Sequence, residues 1–370
     1  MIKILHTGDV HLDSPFSGLD PTSAEVRRNE LRAAFTSMFH YARTEKVDMI
    51  LIAGDLFDAG FVTRETLALI TREAANTPCP IIVSPGNHDS VSESSVWRRG
   101  IFPPNVHIFT KGELEHFDFP SLNVRVWGWA FTSPKMEASP LTGKSVRDVK
   151  DGEGMINILC AHGDLTSARS TSCPLTVREI EQFGAHYAAL GHIHNPMEYT
   201  DRIAYCGCPE GRSFDETGHK GALVVAIDGD SISTQKVRFS KRRYENDTLS
   251  VNGASSNGEL REMIAEYITE KRYGDDTILR LTLTGAVDPA FTPGVAVLEE
   301  NPPRVFKLKI VDGTTPELSA DELRRDPTVR GEFYRLLESR LTSDDPEERA
   351  TAAAALRAGL AALAGEAVTL

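Results

Sequence analysis

The run Ile4-Leu5-His6-Thr7-Gly8-Asp9-Val10-His11-Leu12-Asp13 decides how the rest of the chain is read. A short apolar strand stops at Gly8, and a carboxylate and an imidazole follow two residues apart, at Asp9 and His11. In a chain that stays extended, residues i and i+2 point to the same face, so both side chains are expected to reach one point beyond the strand end. An oxygen donor beside a nitrogen donor suits a borderline divalent metal. The pair says little alone, because Asp-x-His arises often by chance. It gains weight because the same construction, an apolar strand and then a candidate ligand, returns at Gly54-Asp55, Gly86-Asn87-His88-Asp89, Ala161-His162-Gly163-Asp164 and Gly191-His192-Ile193-His194.

The bulk numbers set the frame for that pattern. With 370 residues, 41% hydrophobic and 25% charged, the chain is long enough for two or three soluble domains. The first residues alternate apolar and polar, which reads as a strand and not as a signal peptide, and no apolar run approaches the roughly 18 residues of a membrane helix. Five cysteines at no disulfide-scaffold spacing point to a reducing cytoplasm. Cys206-x-Cys208 reads as small residues in a tight turn, since no second Cys pair follows to complete a zinc site. The net charge of −13 argues against wrapping a polyanion, although bound metal can invert the field at one site.

Along the chain, Thr22-x-x-Glu25 is expected to cap a helix carrying Leu31, Ala34, Phe35, Met38, Phe39 and Ala42 on one face. Strands at 47–53 and 80–84 and a helix at 63–75 complete a βαβ pattern with near-continuous apolar strands. Shorter strands lie within 106–131, at 155–161, 187–191, 203–207 and 222–228, and at 231–239, with a capped helix after Thr176 and a surface loop over 133–154. A boundary falls near Lys241-Arg242-Arg243, read as a solvated strand entering a second module. That module has strands near 246–252, 277–284 and 304–311 and a helix near 258–272. Ser319-x-x-Glu322, Asp326-Pro327 and Asp345-Pro346-Glu347-Glu348 mark helix starts in the last segment. Three domains are expected: 1–240, 241–315 and 316–370.

In an open α/β sheet the loops beyond the carboxyl ends of the strands meet in one crevice. The five blocks would bring there Asp9 and Asp55, the imidazoles of His11, His162, His192 and His194, and the amide of Asn87. That set is enough for two metal ions sharing a bridging carboxylate, and it leaves His88 over. Two divalent ions less two carboxylates and a bridging hydroxide leave about one positive charge, which clamps a phosphoryl group in an in-line displacement. The imidazoles favour Mn, Fe or Zn over Mg or Ca. Any one of these histidines could be an ordinary satisfied polar residue; five blocks on five strand ends weigh against that for the set. His40, His107, His116, His186 and His219 lack this context and read as structural or solvated. Asp13 and Asp89 are expected as hydrogen-bond partners behind the ligands, with Asp58 and Asp164 as weaker candidates.

The order Asp-x-His, Gly-Asp, Gly-Asn-His-Asp, His, Gly-His-x-His resembles that of the calcineurin-like metallophosphoesterases. Leu5 to Phe16 and Ala53-Gly-Asp-Leu-Phe-Asp58 look like the SbcD-type DNA repair nucleases, especially the YhaO-like branch. Tyr205-Cys-Gly-Cys-Pro-Glu-Gly-Arg212, Phe214-Asp215-Glu216 and Lys220-Gly221 resemble that branch after its last histidine pair, with Cys206 and Cys208 where Pro and Ser are usual. The likeness spans about 1–240 and fades beyond 245. It implies a two-sheet α/β sandwich flanked by helices, followed by a small α+β cap module and C-terminal helices. It also implies one metal on Asp9, His11, Asp55 and His194, another on Asp55, Asn87, His162 and His192, and His88 at the leaving oxygen. Glu210 and Arg212 are candidates to line a substrate groove.

The resulting expectation is a two-metal, manganese-type phosphodiesterase acting on DNA, in which a bridging hydroxide attacks phosphorus. The rival enzyme is a small-molecule phosphoesterase acting on a nucleotide or nucleotide-sugar, because one scaffold serves both. The separate module after 245 favours the larger substrate. An adaptor with a structural metal site would have no use for the spare His88. Expected partners are DNA, a second copy of the chain in a homodimer, and an SbcC-like SMC-type ATPase, with no membrane. The ATPase would dock on the C-terminal helices, where Val329, Phe333, Leu336 and Leu337 form one apolar stripe and Ala353, Leu356, Leu360, Leu363 and Ala367 another. The alternative is that both stripes pack on the chain's own core.

Overall fold

The computed structural model describes residues 1–149, 154–288, 291–316 and 319–364. The chain divides into two units, Met1–Tyr244 and Glu245–Leu370.

In the first unit, β1 (Ile2–Thr7), α1 (Pro21–Thr44), β2 (Met49–Ile52), α2 (Arg64–Ala75), β3 (Ile81–Val83) and β4 (Val106–Ile108) follow in order. The four strands pair in parallel as β1-β2-β3-β4. A second sheet follows from β5 (Glu115–Phe119), β6 (Val124–Gly128), β7 (Ile156–His162), β8 (Tyr187–Gly191), β9 (Met197–Thr200) and β10 (Ile203–Tyr205), in the order β5-β6-β7-β8-β10-β9, with α3 (Val177–Phe183) between β7 and β8. The chain then returns: β11 (Gly218–Asp228) lies antiparallel on β1, and β12 (Ser231–Ser250) on β11. This is the expected mixed α/β architecture with two multi-stranded sheets.

Period-2 alternation sorts the side chains into layers. Ile158 and Cys160 of β7 and Tyr187 and Ala189 of β8 share one core with Ile4, Ile50 and Ile82 of the first sheet. The intervening Leu159, Ala161, Ala188 and Leu190 join Ile180 and Phe183 of α3 on the outer face of the second sheet. On β1, the odd face meets α1, where Thr7 Oγ1 donates to Met38 Sδ at 3.3 Å. The even face carries His6 into the sandwich, with its ring nitrogens 3.0 Å from Tyr187 Oη and 3.1 Å from Leu190 O.

Local signals differ from expectation in three places. α1 is capped by Asp20, whose side chain accepts from Ser23 N, with Pro21 as first helical residue; a proline there needs no N–H partner, so the start precedes the Thr22 box. The strands anticipated at 231–239 and 246–252 are one strand, β12. The charge run Lys241-Arg242-Arg243 does not interrupt it, because the backbone N–H groups of Lys241 and Arg242 donate to Glu210 and Arg242 pairs with Glu30. Asp326 ends one helix, and Thr328 caps the next.

The second unit contains α4 (Asn257–Glu270), β13 (Thr277–Val287), α5 (Val295–Glu299) and β14 (Lys307–Pro316), with β13 and β14 parallel and Leu260, Ile264, Leu279, Leu281 and Ile310 in one core. α6 (Ala320–Arg325), α7 (Val329–Leu341) and α8 (Pro346–Ala364) enclose a separate cluster of Leu323, Tyr334, Leu356 and Leu360, joined by Phe333 and Leu337. The stripe expected on α7 therefore splits: Phe333 and Leu337 turn inward, whereas Val329 and Leu336 stay 68% and 70% exposed. Leu363 is also exposed, and Ala367 lies outside the described residues. Among the described residues no helix is long and apolar enough to cross a membrane.

His6 makes a stability prediction. Burial pushes its pKa from 6.5 down to about 3, so the ring is neutral in the fold and gains a proton on unfolding below pH 6.5. A depressed histidine contributes stability in full above its unfolded pKa and loses it as pH falls toward the folded value. Relative to His6→Gln, the protein is expected to lose about 1.4 kcal/mol per pH unit below pH 6. Urea unfolding at pH 7, 5.5 and 4.5 measures this; parallel slopes for the two proteins would contradict it.

Candidate metal centre

The five sequence blocks meet at the carboxyl ends of β1, β2, β3, β7 and β8. The geometry at the first differs from the expectation. The chain does not stay extended after Gly8: Asp9 and His11 have φ of 49° and 48°, and Asp55 and His192 share this left-handed sign at 50° and 111°. Such conformations cost a side-chain-bearing residue roughly 1–3 kcal/mol each and recur at functional sites. They are held by a backbone ladder between the two loops, Asp9 N to Gly54 O, His11 N to Asp55 O and Leu12 N to Leu56 O at 2.9–3.0 Å. Two glycines make the room. A Cβ on Gly54 would lie 2.3 Å from His162 Nδ1, and one on Gly86 would lie 2.3 Å from Asp55 Oδ1.

Asp9, His11, Asp55 and His162 are fully or nearly fully buried, and Asn87, His192 and His194 partly so. Donor atoms of Asp9, His11 and His194 lie within 4.8 Å of one another, as do those of Asp9, Asp55 and His162. Asp55 Oδ2 stands between the halves, 3.5 Å from His11 Nε2 and 3.4 Å from His162 Nε2, while Oδ1 accepts from His88 N at 2.9 Å. His162 Nε2 faces Asn87 Oδ1 at 3.0 Å. His192 is anchored by its backbone N–H, which donates to both oxygens of Asp9 at 3.0 Å.

The proton positions show what this set accepts. His11 Nδ1 lies 2.7 Å from Asp58 Oδ1, and His194 Nδ1 lies 2.6 Å from Glu216 Oε1. A carboxylate can only accept, so each Nδ1 carries the hydrogen and each Nε2 presents a lone pair. Those two Nε2 atoms are 3.3 Å apart. His162 repeats the pattern, with Nδ1 on Ala53 O at 2.9 Å and Nε2 toward the Asn87 carbonyl oxygen. Acceptors facing acceptors in a buried site repel, and a cation between them reverses the sign. The residues present fit divalent metal.

Supporting groups surround this set. Asp89 takes N–H bonds from Gly86, Leu56 and Asp55, tying two ligand loops together, and burial beside Asp55 raises its carboxyl to about 7. Asp13 behaves differently from expectation. It accepts from Arg32, Thr66 and Thr63 at 2.6–2.9 Å, so it joins the β1 loop to α1 and the start of α2, with no bond to a candidate ligand among the described residues. Asp164 bonds Thr166 and stays 3.8 Å from His192 Nε2. Asp58, only a weak candidate from sequence, contacts both His11 and, at 3.1 Å, His88. The bond to Asp58 raises the His88 pKa although partial burial opposes it. Glu216 had no role in sequence; burial works against its charge, yet the bond from His194 and the neighbouring Arg212 hold its carboxyl at about 2.

Of the two groove candidates, Glu210 is excluded by its surroundings. It is fully buried, and its oxygens are taken by Arg27 at 2.7 Å and by the N–H groups of Lys241 and Arg242. Arg212 does reach the rim, with Nη1 3.3 Å from Ser14 Oγ and Nη2 3.2 Å from His194 Nδ1.

Residues 2–205 match the calcineurin-like phosphoesterase family. The chain belongs to this family. As a calcineurin-like phosphoesterase it is a metal-dependent phosphoesterase. It is 28% identical over 300 residues to the uncharacterized metallophosphoesterase YhaO of Bacillus subtilis, across 77% of this chain and 72% of that protein. It is 27% identical over 271 residues to the DNA double-strand break repair protein Mre11 of Aeropyrum pernix, across 65% of this chain and 62% of Mre11. Similarity to the SbcD component of the SbcCD nuclease of Staphylococcus epidermidis is 23% over 369 residues, across 90% of this chain and 93% of that protein.

Asp55 provides the test of this phosphoesterase centre. With Oδ2 between His11 and His162, Asp55→Asn is expected to weaken both steps of a Mn titration followed by calorimetry, whereas His11→Ala weakens one. A single-step effect from Asp55→Asn would show that the carboxylate does not lie between two ions.

Proposed function

We propose that this protein is a two-metal nuclease that hydrolyses DNA phosphodiester bonds, with Asp9, His11, Asp55 and His194 holding one ion and Asp55, Asn87, His162 and His192 the other. Manganese suits the mixed carboxylate and imidazole donors. When bound, the ions lower the pKa of a water and neutralise charge on the non-bridging phosphate oxygens. The chain's own groups do the rest. Asp55 and Asp9 set the ion spacing, and Arg212 adds a cation at the rim on the His194 side.

The observation that carries the catalytic reading is His88. Its side chain is 50% exposed, its ring centroid is 4.7 Å from that of His11, and Asp58 engages Nδ1. That arrangement leaves Nε2 for the departing oxygen, which it protonates or hydrogen-bonds. A site built only to hold metal has no use for such a group. DNA as substrate is supported by the named activities of the Mre11 and SbcD relatives and by an open rim. Phe61, three residues after Asp58, is 58% exposed on a turn fixed to the site by Ala59 N donating to His88 O, and an exposed ring there offers a base a stacking surface. An SbcC-like ATPase is the proposed partner, docking on the face of α7 that exposes Val329 and Leu336, seven residues apart on one side of the helix.

Two measurements follow. His88→Gln is expected to keep both metals by elemental analysis, to lose about 10²–10⁴ in oligonucleotide cleavage and to spare an aryl diester, whose leaving group needs little protonation. Loss of a metal would make His88 a ligand. Aryl-diester hydrolysis by the wild type without cleavage of single-stranded or hairpin DNA would leave a small-molecule phosphoesterase instead. Val329→Glu with Leu336→Glu should abolish co-purification with the ATPase and leave aryl-diester hydrolysis unchanged; unaffected co-purification removes α7 as the docking face.

A further inference from the structure

The segment after the last histidine pair, with Phe214-Asp215-Glu216 and Lys220, has no part in the chemistry assigned so far. Its geometry gives it one. Glu216 is 6% exposed and uses both oxygens: Oε1 accepts from His194 Nδ1 at 2.6 Å, and Oε2 accepts from Arg212 N at 2.6 Å and lies 3.6 Å from Cys208 Sγ. The Arg212 guanidinium is 3.7 Å from the same carboxylate. Lys220, 1% exposed, donates Nζ to Asn195 Oδ1, and Asn195 Nδ2 donates to Asp215 O at 3.1 Å. The residue after His194 is thereby tied to the residue before Glu216, which closes the loop around the imidazole.

We propose that Glu216 is the positioning residue of His194, fixing its tautomer so that Nε2 faces the ion shared with His11, and placing Arg212 beside that ion through its other oxygen. This rests on the two-metal reading of the centre. The support behind the two ions is then unequal. Both imidazoles of the His11–His194 ion have a carboxylate at hydrogen-bond distance, Asp58 at 2.7 Å and Glu216 at 2.6 Å. On the other side, His162 has only the Ala53 carbonyl at 2.9 Å, and Asp164 stays 3.8 Å from His192. A carboxylate behind a ligating imidazole makes it more basic and holds its orientation, and losing one typically costs 10–100-fold in metal affinity.

The test is a Co(II) titration of the full-length protein, followed by visible absorption and calorimetry, on wild type, Glu216→Ala, Glu216→Gln, His11→Ala and His162→Ala. Glu216→Ala is expected to weaken one step by about 10–100-fold, the same step that His11→Ala weakens, with the His162-dependent step unmoved. Glu216→Gln keeps an acceptor for His194 without the charge and should recover part of the loss; it also carries the test should the alanine variant fail to fold. Unchanged steps in both Glu216 variants, or a shift in the His162-dependent step, would overturn the assignment. A wild type that titrates in two steps with these shifts but cleaves no phosphodiester would sink the nuclease reading and leave Glu216 in place. A wild type that binds no metal would end both.

Discussion

The Nε2 atoms of His11 and His194 face each other at 3.3 Å, each ring backed by a carboxylate that holds the hydrogen on Nδ1. Two lone pairs so placed repel in a buried site, and with Asp9 and Asp55 beside them the repulsion includes formal charge. Only a fold with independent reserves of stability can keep such a set together before a cation arrives. The sandwich core behind it, continuous from α1 through both sheets, is that reserve.

The same demand explains the backbone. Asp9, His11, Asp55 and His192 adopt left-handed φ values because an extended chain would carry successive side chains past the centre instead of turning them into it. The ladder between the β1 and β2 loops and the Asp89 carboxylate hold those turns, and Gly54 and Gly86 leave space where a side chain would strike His162 or Asp55. His6, buried between the sheets and bonded to Tyr187 and Leu190, places a neutral imidazole where a charged one would split the layers.

Support thins toward the substrate side. His88 and Phe61 are exposed at the rim, and Arg212 is held there by Glu216 and Ser14. The buried pair Arg27–Glu210 belongs to the frame instead, joining α1 to the 208–212 loop and the β12 backbone. In the last helices, packing divides one apolar stripe in two, because Phe333 and Leu337 fill the seam with α8 while Val329 and Leu336 have no place in it.

The local order of the chain determined the sheets, the helices and the ligand blocks, because apolar runs of period two and glycine before a polar residue are signals carried by neighbours in sequence. The candidate ligands Asp9, His11, Asp55, Asn87, His162, His192 and His194 were legible for that reason. What the sequence could not decide was which carboxylates stand behind them. Glu216 reaches His194 across 22 residues and Arg27 reaches Glu210 across 183, while Asp13 and Asp89 look alike in sequence and bind different frames. Hydrogen-bond partnership at that range depends on how two sheets and a returning loop pack, and no periodicity encodes it; burial and distance settle it only once the chain has folded.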